Sequence, residues 1–282
     1  MEIIRTPVEM SGWANKVLAA GQTIGLVPTM GFFHEGHLSL MRKAREKADR
    51  TVVSLFVNPI QFGANEDLGR YPRDFSRDSQ LAETEGVDVL FAPEARDMYP
   101  SEACTRVIVS GLTDGLCGAS RPGHFAGVTT VVAKLFHIIK PYCAVFGRKD
   151  FQQLAVITRM VADLDWDVEI VGHPIVREAD GLAMSSRNTY LSASERQSAL
   201  CLFRAIAHAR RRVREGLVEA EVLLQEVEWL LLQESVTIEY VSFVDQATLR
   251  PQAVLRKGAV LAMAIKVGAT RLIDNDNLFE EH

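Results

Sequence analysis

Along the first part of the chain, continuously apolar runs alternate with amphipathic stretches. Thr23–Thr29 (TIGLVPT) reads as a buried strand, and Thr51–Asn58 (TVVSLFVN) as a β-branched strand covered on both faces. Between them, His37–Ala48 (HLSLMRKAREKA) places Leu38, Met41, Ala44 and Ala48 on one helical face. Asp74–Gly86 continues as a helix ended by glycine, and Val87–Pro93 (VDVLFAP) as a strand closed by proline. Thr105–Ser110 (TRVIVS) is a further candidate strand. Ala126–Lys140 reads as a helix stopped before Pro141, Cys143–Gly147 (CAVFG) as a short buried strand, Asp150–Leu164 as a helix and Asp167–Pro174 as a strand. Such alternation predicts βαβ units on a mostly parallel sheet, an α/β domain over residues 1–175.

The texture changes at about Val176. Ser192–Gly216 predicts one long helix whose start carries the S-x-x-E spacing of a capping box, Ser192 with Glu195. Glu219–Glu234 predicts a second helix, and Val236–Asp245 and Ala259–Gly268 read as strands. A smaller α+β domain is therefore expected over residues 176–282. No internal repeat or low-complexity linker interrupts the chain.

Composition narrows the class. The chain has 282 residues, 48% hydrophobic and 24% charged, with a formal net charge of -5. That suits a globular protein with a sizeable core and gives no basic face for nucleic acid. The one dense basic run, Arg210–Gly216 (RRRVREG), reads as the solvated last turns of a helix. The start (MEIIRTPVEM) lacks a basic segment followed by an apolar run, so no signal peptide is expected, and GAVLAMAI is too short to span a bilayer. Cys104, Cys117, Cys143 and Cys201 are scattered without a C-x-x-C pair, which fits reduced thiols in a cytoplasm.

Candidate chemistry concentrates at PTMGFFHEGH, just past the first of those strands. Gly31 and Gly36 have the spacing of a phosphate-binding loop, but His37 and Leu38 stand where Lys and Ser or Thr would follow. No G-x-G-x-x-G occurs, and HEGH is one residue short of H-E-x-x-H. What remains is a strand, a glycine turn and a helix start carrying His34 and His37. Helix starts offer free N–H groups and partial positive charge, and imidazoles there can donate to phosphate oxygens. Zinc would need a third ligand, and none stands nearby.

Three loops follow predicted strands and share one rim of the sheet, where open α/β sheets bind ligands. They are the histidine loop, NPIQF and GRKD. Asn58 and Gln61 carry amides able to orient a hydroxyl or carboxylate, or serve simply as turn residues. Lys149 can place a cation on phosphate, Asp150 can cap its helix or contact ribose, and Gln153 lies one turn along. Ser185, Ser186 and Arg187, in READGLAMSSRN, can close over a triphosphate or form a polar hinge loop.

Together PTMGFFHEGH, VVSLFVNPIQFG, RPGHFAGVTTVVAKLF, FGRKDFQQL and VREADGLAMSSRN resemble the pantothenate synthetase (pantoate–β-alanine ligase) family, from about Gly25 to Leu191 and more weakly at TRLIDN. HEGH resembles the HxGH signature of the wider nucleotidyltransferase superfamily. The resemblance implies a Rossmann-like domain with a C-terminal lid. It implies an ATP-dependent condensation of (R)-pantoate with β-alanine to pantothenate, AMP and pyrophosphate through a pantoyl adenylate, with Mg2+ accompanying ATP. Carried over residue by residue, it implies catalytic roles for His34, His37 and Lys149. The nucleotide would lie against Met30, Gly31, Phe32, Phe33, Glu35, Gly36, Gly147, Arg148, Asp150, Val176, Met184, Ser185, Ser186 and Arg187. Gln61 and Gln153 would hold pantoate. A cytoplasmic homodimer with neither a nucleic-acid nor a membrane partner is implied, with no metal-ligating residue assigned.

Three positions depart from the family pattern. Phe32 and Phe33 stand where small or aliphatic residues are usual, and are expected at the nucleotide rim or under the lid. Arg148 replaces an acidic residue beside Lys149, and is expected to strengthen phosphate attraction or to face solvent. Two other readings stay open here. One is another HxGH-type nucleotidyltransferase acting on a phosphorylated acceptor. The other is a nucleotide-binding regulatory module without turnover. His124 and His173 have no assigned role, and His137, inside an apolar helix, is expected in the core or at an interface.

Overall fold

A computed structural model describes residues 1–64 and 66–280. Residues 281 and 282, which close the expected second domain, lie outside the described residues. The chain forms two compact units. The first comprises Met1–Gly111, Arg121–Arg148 and Val156–Pro174, and the second comprises Leu112–Ser120, Lys149–Ala155 and Ile175–His282. The second unit thus takes in two segments that the sequence pattern assigns to the first domain, because chain crossings leave no compositional mark.

In the first unit the elements run β1 (Glu2–Ile4), α1 (Pro7–Ala19), β2 (Ile24–Thr29), α2 (Glu35–Lys47), β3 (Arg50–Leu55), α3 (Phe75–Thr84), β4 (Val89–Phe91) and α4 (Ala95–Met98). After α5 (Cys117–Ser120), which belongs to the second unit, come α6 (His124–Ile139), β5 (Cys143–Gly147), α7 (Phe151–Asp163), whose residues through Ala155 belong to the second unit, and β6 (Glu169–His173). The six strands form one sheet in the order β1-β4-β3-β2-β5-β6, every pair parallel. Val27, Val53, Leu90 and Val145 are fully buried, as central parallel strands require. Succession runs outward from β2 through β3 to β4, then resumes at β5 on the other side of β2. The switch point therefore lies between β2 and β5, where such sheets open a crevice at the carboxyl ends of the strands.

The second unit contains α8 (Ala193–Ala199), α9 (Cys201–Arg214), α10 (Ala220–Leu232), β7 (Val236–Asp245), β8 (Ala259–Val267) and β9 (Thr270–Asn277). Its strands form an antiparallel sheet ordered β7-β8-β9. Leu202, Ile206, Leu223, Val227, Leu231, Phe243, Leu261 and Ile265 make its core. The capping box forms: Glu195 N–H donates to Ser192 Oγ at 3.3 Å and Ser192 N–H to Glu195 Oε2 at 2.8 Å.

Several elements depart from the pattern. Thr105–Ser110 is not a strand. Its backbone is satisfied by α6 instead: Val107 N–H donates to Thr130 Oγ1 at 3.0 Å, and Thr129 Oγ1 donates to the Val107 carbonyl at 2.6 Å. The long helix from Ser192 divides at Leu200, whose backbone stays near helical (φ -62°, ψ -12°), so the apolar period runs through the break. Arg210 is not solvated: its guanidinium pairs with Asp276 and donates to the carbonyls of Asn277 and Glu280. His137 is exposed on α6 with its ring 6.1 Å from Trp166, so it is not a core residue. Among the described residues no helix is long and apolar enough to cross a membrane.

Candidate active site

The loop past β2 is a turn built on two left-handed residues, Gly31 (φ +85°) and Phe32 (φ +52°). A Cβ on Gly31 would meet Asp78 Oδ2 at 3.0 Å and Leu55 Cδ2 at 3.2 Å, so glycine answers both the conformation and the space. Phe32 has no such freedom and must be held. The Asp78 carboxylate of α3 does so, accepting the Phe32 N–H at 2.6 Å and the Phe33 N–H at 2.7 Å, one on each oxygen. Asp78 is 1% exposed. Burial raises its pKa, against the two amides and Arg77, which favour the ionised form. Arg77 lies 3.7 Å from Asp78 Oδ1 and over the Phe32 ring at 5.3 Å.

The same turn fixes both histidines. Phe33 is fully buried among Val27, Leu40, Met41 and Val53. It therefore does not line a nucleotide rim, because the turn directs every second side chain into the core. His34 is the N-cap of α2, with extended backbone, and His37 lies in the first turn. Their ring centroids are 4.1 Å apart. The His34 N–H donates to His37 Nδ1 at 3.4 Å, so neutral His37 carries its proton on Nε2 and presents it as a donor. Both rings are half-buried, beside backbone N–H groups that the helix start leaves without intrahelical partners. The Glu35 carboxylate pairs with Arg42, which leaves its backbone as its means of contact with an anion.

The loop past β3 is equally committed. Asn58, 1% exposed, donates to Gln61 Oε1 at 3.0 Å and to the Gly127 carbonyl at 3.1 Å, and accepts from the Tyr99 hydroxyl at 2.8 Å. This orients the Gln61 amide, whose Nε2 donates to Met30 Sδ at 3.2 Å. Gly127 allows α6 to press against this loop, since a Cβ there would stand 2.5 Å from the Ile60 carbonyl oxygen. The Gln61 carbonyl accepts from His124 Nδ1 at 2.9 Å, and Arg121 donates to His124 Nε2 at 2.9 Å. A guanidinium only donates, so His124 takes the Nδ1–H form. Arg121 is anchored in turn by a fork to Glu66 at 2.7 and 2.6 Å. Burial would raise the Glu66 pKa, but the Arg121 hydrogen bonds and charge overcome it and hold the carboxyl below its ordinary value.

Gly147 ends β5, beside β2, and Arg148 follows it, exposed. Arg148 contributes with Lys43 and Arg42 to depressing the pKa of His173, whose main cause is burial. The chain enters the second unit at Lys149. Lys149 is half-buried, and its charge opposes the rise that burial imposes on the Asp274 pKa. Asp150 is exposed. Of the adjacent amides, Gln152 is structural: it accepts from Cys117 N–H at 2.9 Å and donates to the carbonyls of Leu112 and Gly115, both at 2.9 Å. Gln153 is half-buried.

The serine–arginine segment is braced rather than a free hinge. Arg177 and Ala183 pair antiparallel, and Met184 N–H donates to the Val176 carbonyl at 3.0 Å, closing a short hairpin. Arg196 grips its turn through Glu178 and Asp180, both at 2.7 Å. Ser185, Ser186 and Arg187 follow directly, with Ser185 Oγ accepting the Arg187 N–H at 3.3 Å.

The sequence places His34, Asn58, Gln61 and Lys149 just past strand ends and His37 at a helix start, and the structure has His34 as the N-cap and His37 in the first turn of α2, Asn58 and Gln61 at the short 3-10 turn past β3, and Lys149 in the one past β5. Sequence reasoning missed Asp78, whose partners are 45 and 46 residues distant, and the Glu66–Arg121–His124 chain, for which RPGH was the available signal. Among the described residues no group of three or more His, Cys, Asp or Glu could hold a metal ion.

A family model described as pantoate-beta-alanine ligase matches residues 2–277. The pantothenate synthetase of Heliobacterium modesticaldum is 57% identical over 276 residues, covering 98% of each chain. That of Geobacter sulfurreducens is 55% identical over 282 residues, covering 100% of each. The crystal structure of pantothenate synthetase from Thermus thermophilus superposes with a TM-score of 0.93 at 44% identity, over 99% of this chain and 100% of that one. The pantoate-beta-alanine ligase of Francisella tularensis, complexed with beta-gamma ATP and beta-alanine, gives 0.80 at 32% identity, over 100% and 99%.

Proposed function

The chain belongs to the pantoate–β-alanine ligase family, and from that membership we propose how its residues perform the ligation. The protein is an ATP-dependent ligase that joins pantoate to β-alanine, and the comparisons do not support a transferase acting on a phosphorylated acceptor. A carboxylate and an amine do not condense unaided in water, so the carboxylate must first gain a leaving group. In the proposed first step a carboxylate oxygen of (R)-pantoate attacks the α-phosphorus of ATP. The bond to the bridging oxygen breaks, and pyrophosphate departs with that electron pair. In the second step the β-alanine amine attacks the acyl carbon of pantoyl adenylate. AMP leaves, the nitrogen loses a proton, and pantothenate is formed.

The observation that carries the assignment is the paired imidazoles at the start of α2, set by a rigid turn beside the switch point. Negative charge spreads over the α-phosphate as attack proceeds, and donors already fixed in place stabilise it without reorganising. His37 Nε2–H and the α2 amides fill that role, with His34 beside them. Lys149, Ser185, Ser186 and Arg187 hold the triphosphate. Met30, Gly147, Asp150 and Val176 border adenine and ribose, with Gly31, Phe32, Glu35 and Gly36 and the vicinity of Arg148 and Met184 completing the nucleotide contacts, while Phe33, fully buried, holds the turn from the core instead. Gln61 and Gln153 hold pantoate, Gln61 pre-set by Asn58. Mg2+ enters on the phosphates of ATP as part of the substrate. The second unit, residues 176–282 in the main, serves as a lid that keeps water from the acyl adenylate. We assign the protein to the cytoplasm as a homodimer, by resemblance to its family.

The test is pyrophosphate release from Mg-ATP with and without (R)-pantoate, before β-alanine is added. Release that requires pantoate, followed by AMP and pantothenate once β-alanine arrives, is the expected result. Well-folded protein that releases none with pantoate would overturn the scheme.

A further inference from the structure

The last strand carries a cluster that the scheme above leaves unused. Along β9 burial alternates from Thr270 to Ile273, as an amphipathic edge strand should. It then gives three consecutive buried polar residues: Asp274 at 2%, Asn275 at 7% and Asp276 at 8% exposure. Polar side chains stay buried only when paired, and a strand kept for stability alone does better with apolar residues there. Each of the three is fully engaged, and each with a different segment of the same unit.

Asn275 Nδ2 donates to the Lys149 carbonyl at 2.8 Å. Asp274 accepts a fork from Arg177, at 2.7 and 3.0 Å, and Arg177 also donates to the Gly181 carbonyl at 3.1 Å. That ties the incoming strand of the hairpin to its turn, and the outgoing strand delivers Met184–Arg187. The turn requires glycine: Gly181 has φ +93°, and a Cβ there would stand 2.3 Å from the Phe203 ring, over which Arg177 lies at 5.2 Å. Asp274 Oδ1 accepts the Asn275 N–H at 2.8 Å, so the two neighbours are tied to one another. Asp276, by contrast, holds Arg210 of α9, which bears no residue assigned to the site.

We infer that Asp274 and Asn275 are positioning residues for the nucleotide, two adjacent side chains that set the Lys149 segment and the Ser185–Arg187 segment at a fixed separation. The inference rests on the reading that these two segments hold the triphosphate. A ligand that spans several phosphates needs its cation and its closing loop at one spacing, and neighbouring residues on one strand supply a rigid ruler for it. Asp276 is the comparator, since its ion pair with Arg210 of α9 stabilises the same strand from another side.

The test compares Asn275→Ala, Asp276→Asn and Lys149→Ala in pantoate-dependent pyrophosphate release, with thermal midpoints and amide hydrogen exchange measured alongside. Asn275→Ala is expected to raise KM for ATP about tenfold, the effect of losing one buried hydrogen bond's worth of placement, while KM for pantoate stays within twofold. Exchange at Asp150 and Phe151 should quicken. Asp276→Asn should lower the midpoint and leave KM for ATP unchanged. In the Lys149→Ala background, Asn275→Ala should add little, because its effect passes through that segment. An unchanged KM for ATP in Asn275→Ala, or an equal rise in Asp276→Asn, or full additivity with Lys149→Ala, overturns the inference. A silent Lys149→Ala instead removes the nucleotide assignment of that residue, and the inference with it. Asp274→Asn leaves the half-buried Arg177 without its charged partner and is read only if it folds, which is why Asn275 carries the test.

Discussion

Replacing Asp78 by asparagine separates a turn held in place from a turn merely present. The wild-type carboxylate accepts the Phe32 and Phe33 amides at 2.6 and 2.7 Å while 1% exposed. Asparagine keeps one acceptor and turns an NH2 group against the other amide. A hydrogen bond to a charged group contributes roughly 1.5–3 kcal/mol, so one lost bond and one weakened bond remove about 2–4 kcal/mol gross. Release of the left-handed Phe32 returns about 1–3 kcal/mol of strain to the altered chain. The net loss of stability is therefore small, on the order of 1–2 kcal/mol, while the turn is free to relax. Catalysis registers the relaxation more sharply, because misplacing a donor by about 1 Å can cost about a hundredfold in rate. Asp78→Asn should thus lower kcat for pantoate-dependent pyrophosphate release by roughly two orders of magnitude with only a few degrees' loss in thermal midpoint. The pH dependence has an unusual sign. Burial raises the Asp78 pKa above its ordinary 3.8, so its contribution to stability is fully present below 3.8 and declines as pH rises through the folded value. The stability gap between wild type and Asp78→Ala should widen on acidification. A variant with wild-type kcat, or a gap that narrows in acid, would refute the role.

Three further outcomes can be checked in the same assays. His37→Ala should lose most pantoate-dependent adenylation, by about a hundredfold or more, while folding normally, and near-wild-type turnover would remove it from the transition state. Gln61→Ala and Gln153→Ala should chiefly raise KM for pantoate. Gln61→Ala should also lower the thermal midpoint because it strips the Asn58 amide of an acceptor, whereas equal midpoints would count against that coupling. Because Arg121 holds the Glu66 pKa below its ordinary 4.5, the stability Glu66 provides is present above 4.5 and lost as pH falls through the folded value. Denaturant titrations of wild type and Glu66→Gln should differ by a constant amount from pH 7 down to about 4.5 and converge only below it. Convergence already between pH 7 and 5 would show that Arg121 is not what holds it.

What could be read from the chain was whatever a short window contains. β2 and β3 announce themselves because strands covered on both faces must be apolar throughout, and the glycines and histidines past β2 fall within one turn of each other. Thr105–Ser110 has the same β-branched texture, yet α6 hydroxyls take its hydrogen bonds, a substitution visible only once the helix is packed beside it. β9 failed the other way: Asp274, Asn275 and Asp276 interrupt its apolar alternation because each is needed by a distant segment. β1 is too short to set a period, and in α1 the helical spacing rests on only three buried positions, Met10, Ala14 and Val17. Asp78 could not be singled out in DFSRDSQ, where Asp74 caps the same helix and looks alike.

The alternation of Phe32 and Phe33 also bears on how this loop can change over time. Surface loops ordinarily absorb inserted or deleted residues with little harm. Here Phe33 is sunk in the core one residue before His34 begins α2, and Asp78 reads two successive amides. One residue added or removed between Gly31 and His34 would send the wrong side chain inward and put the wrong amides before the carboxylate. The loop should therefore tolerate exchange of side chains far better than any change in its length, and families built on this turn should vary in its letters while keeping their count.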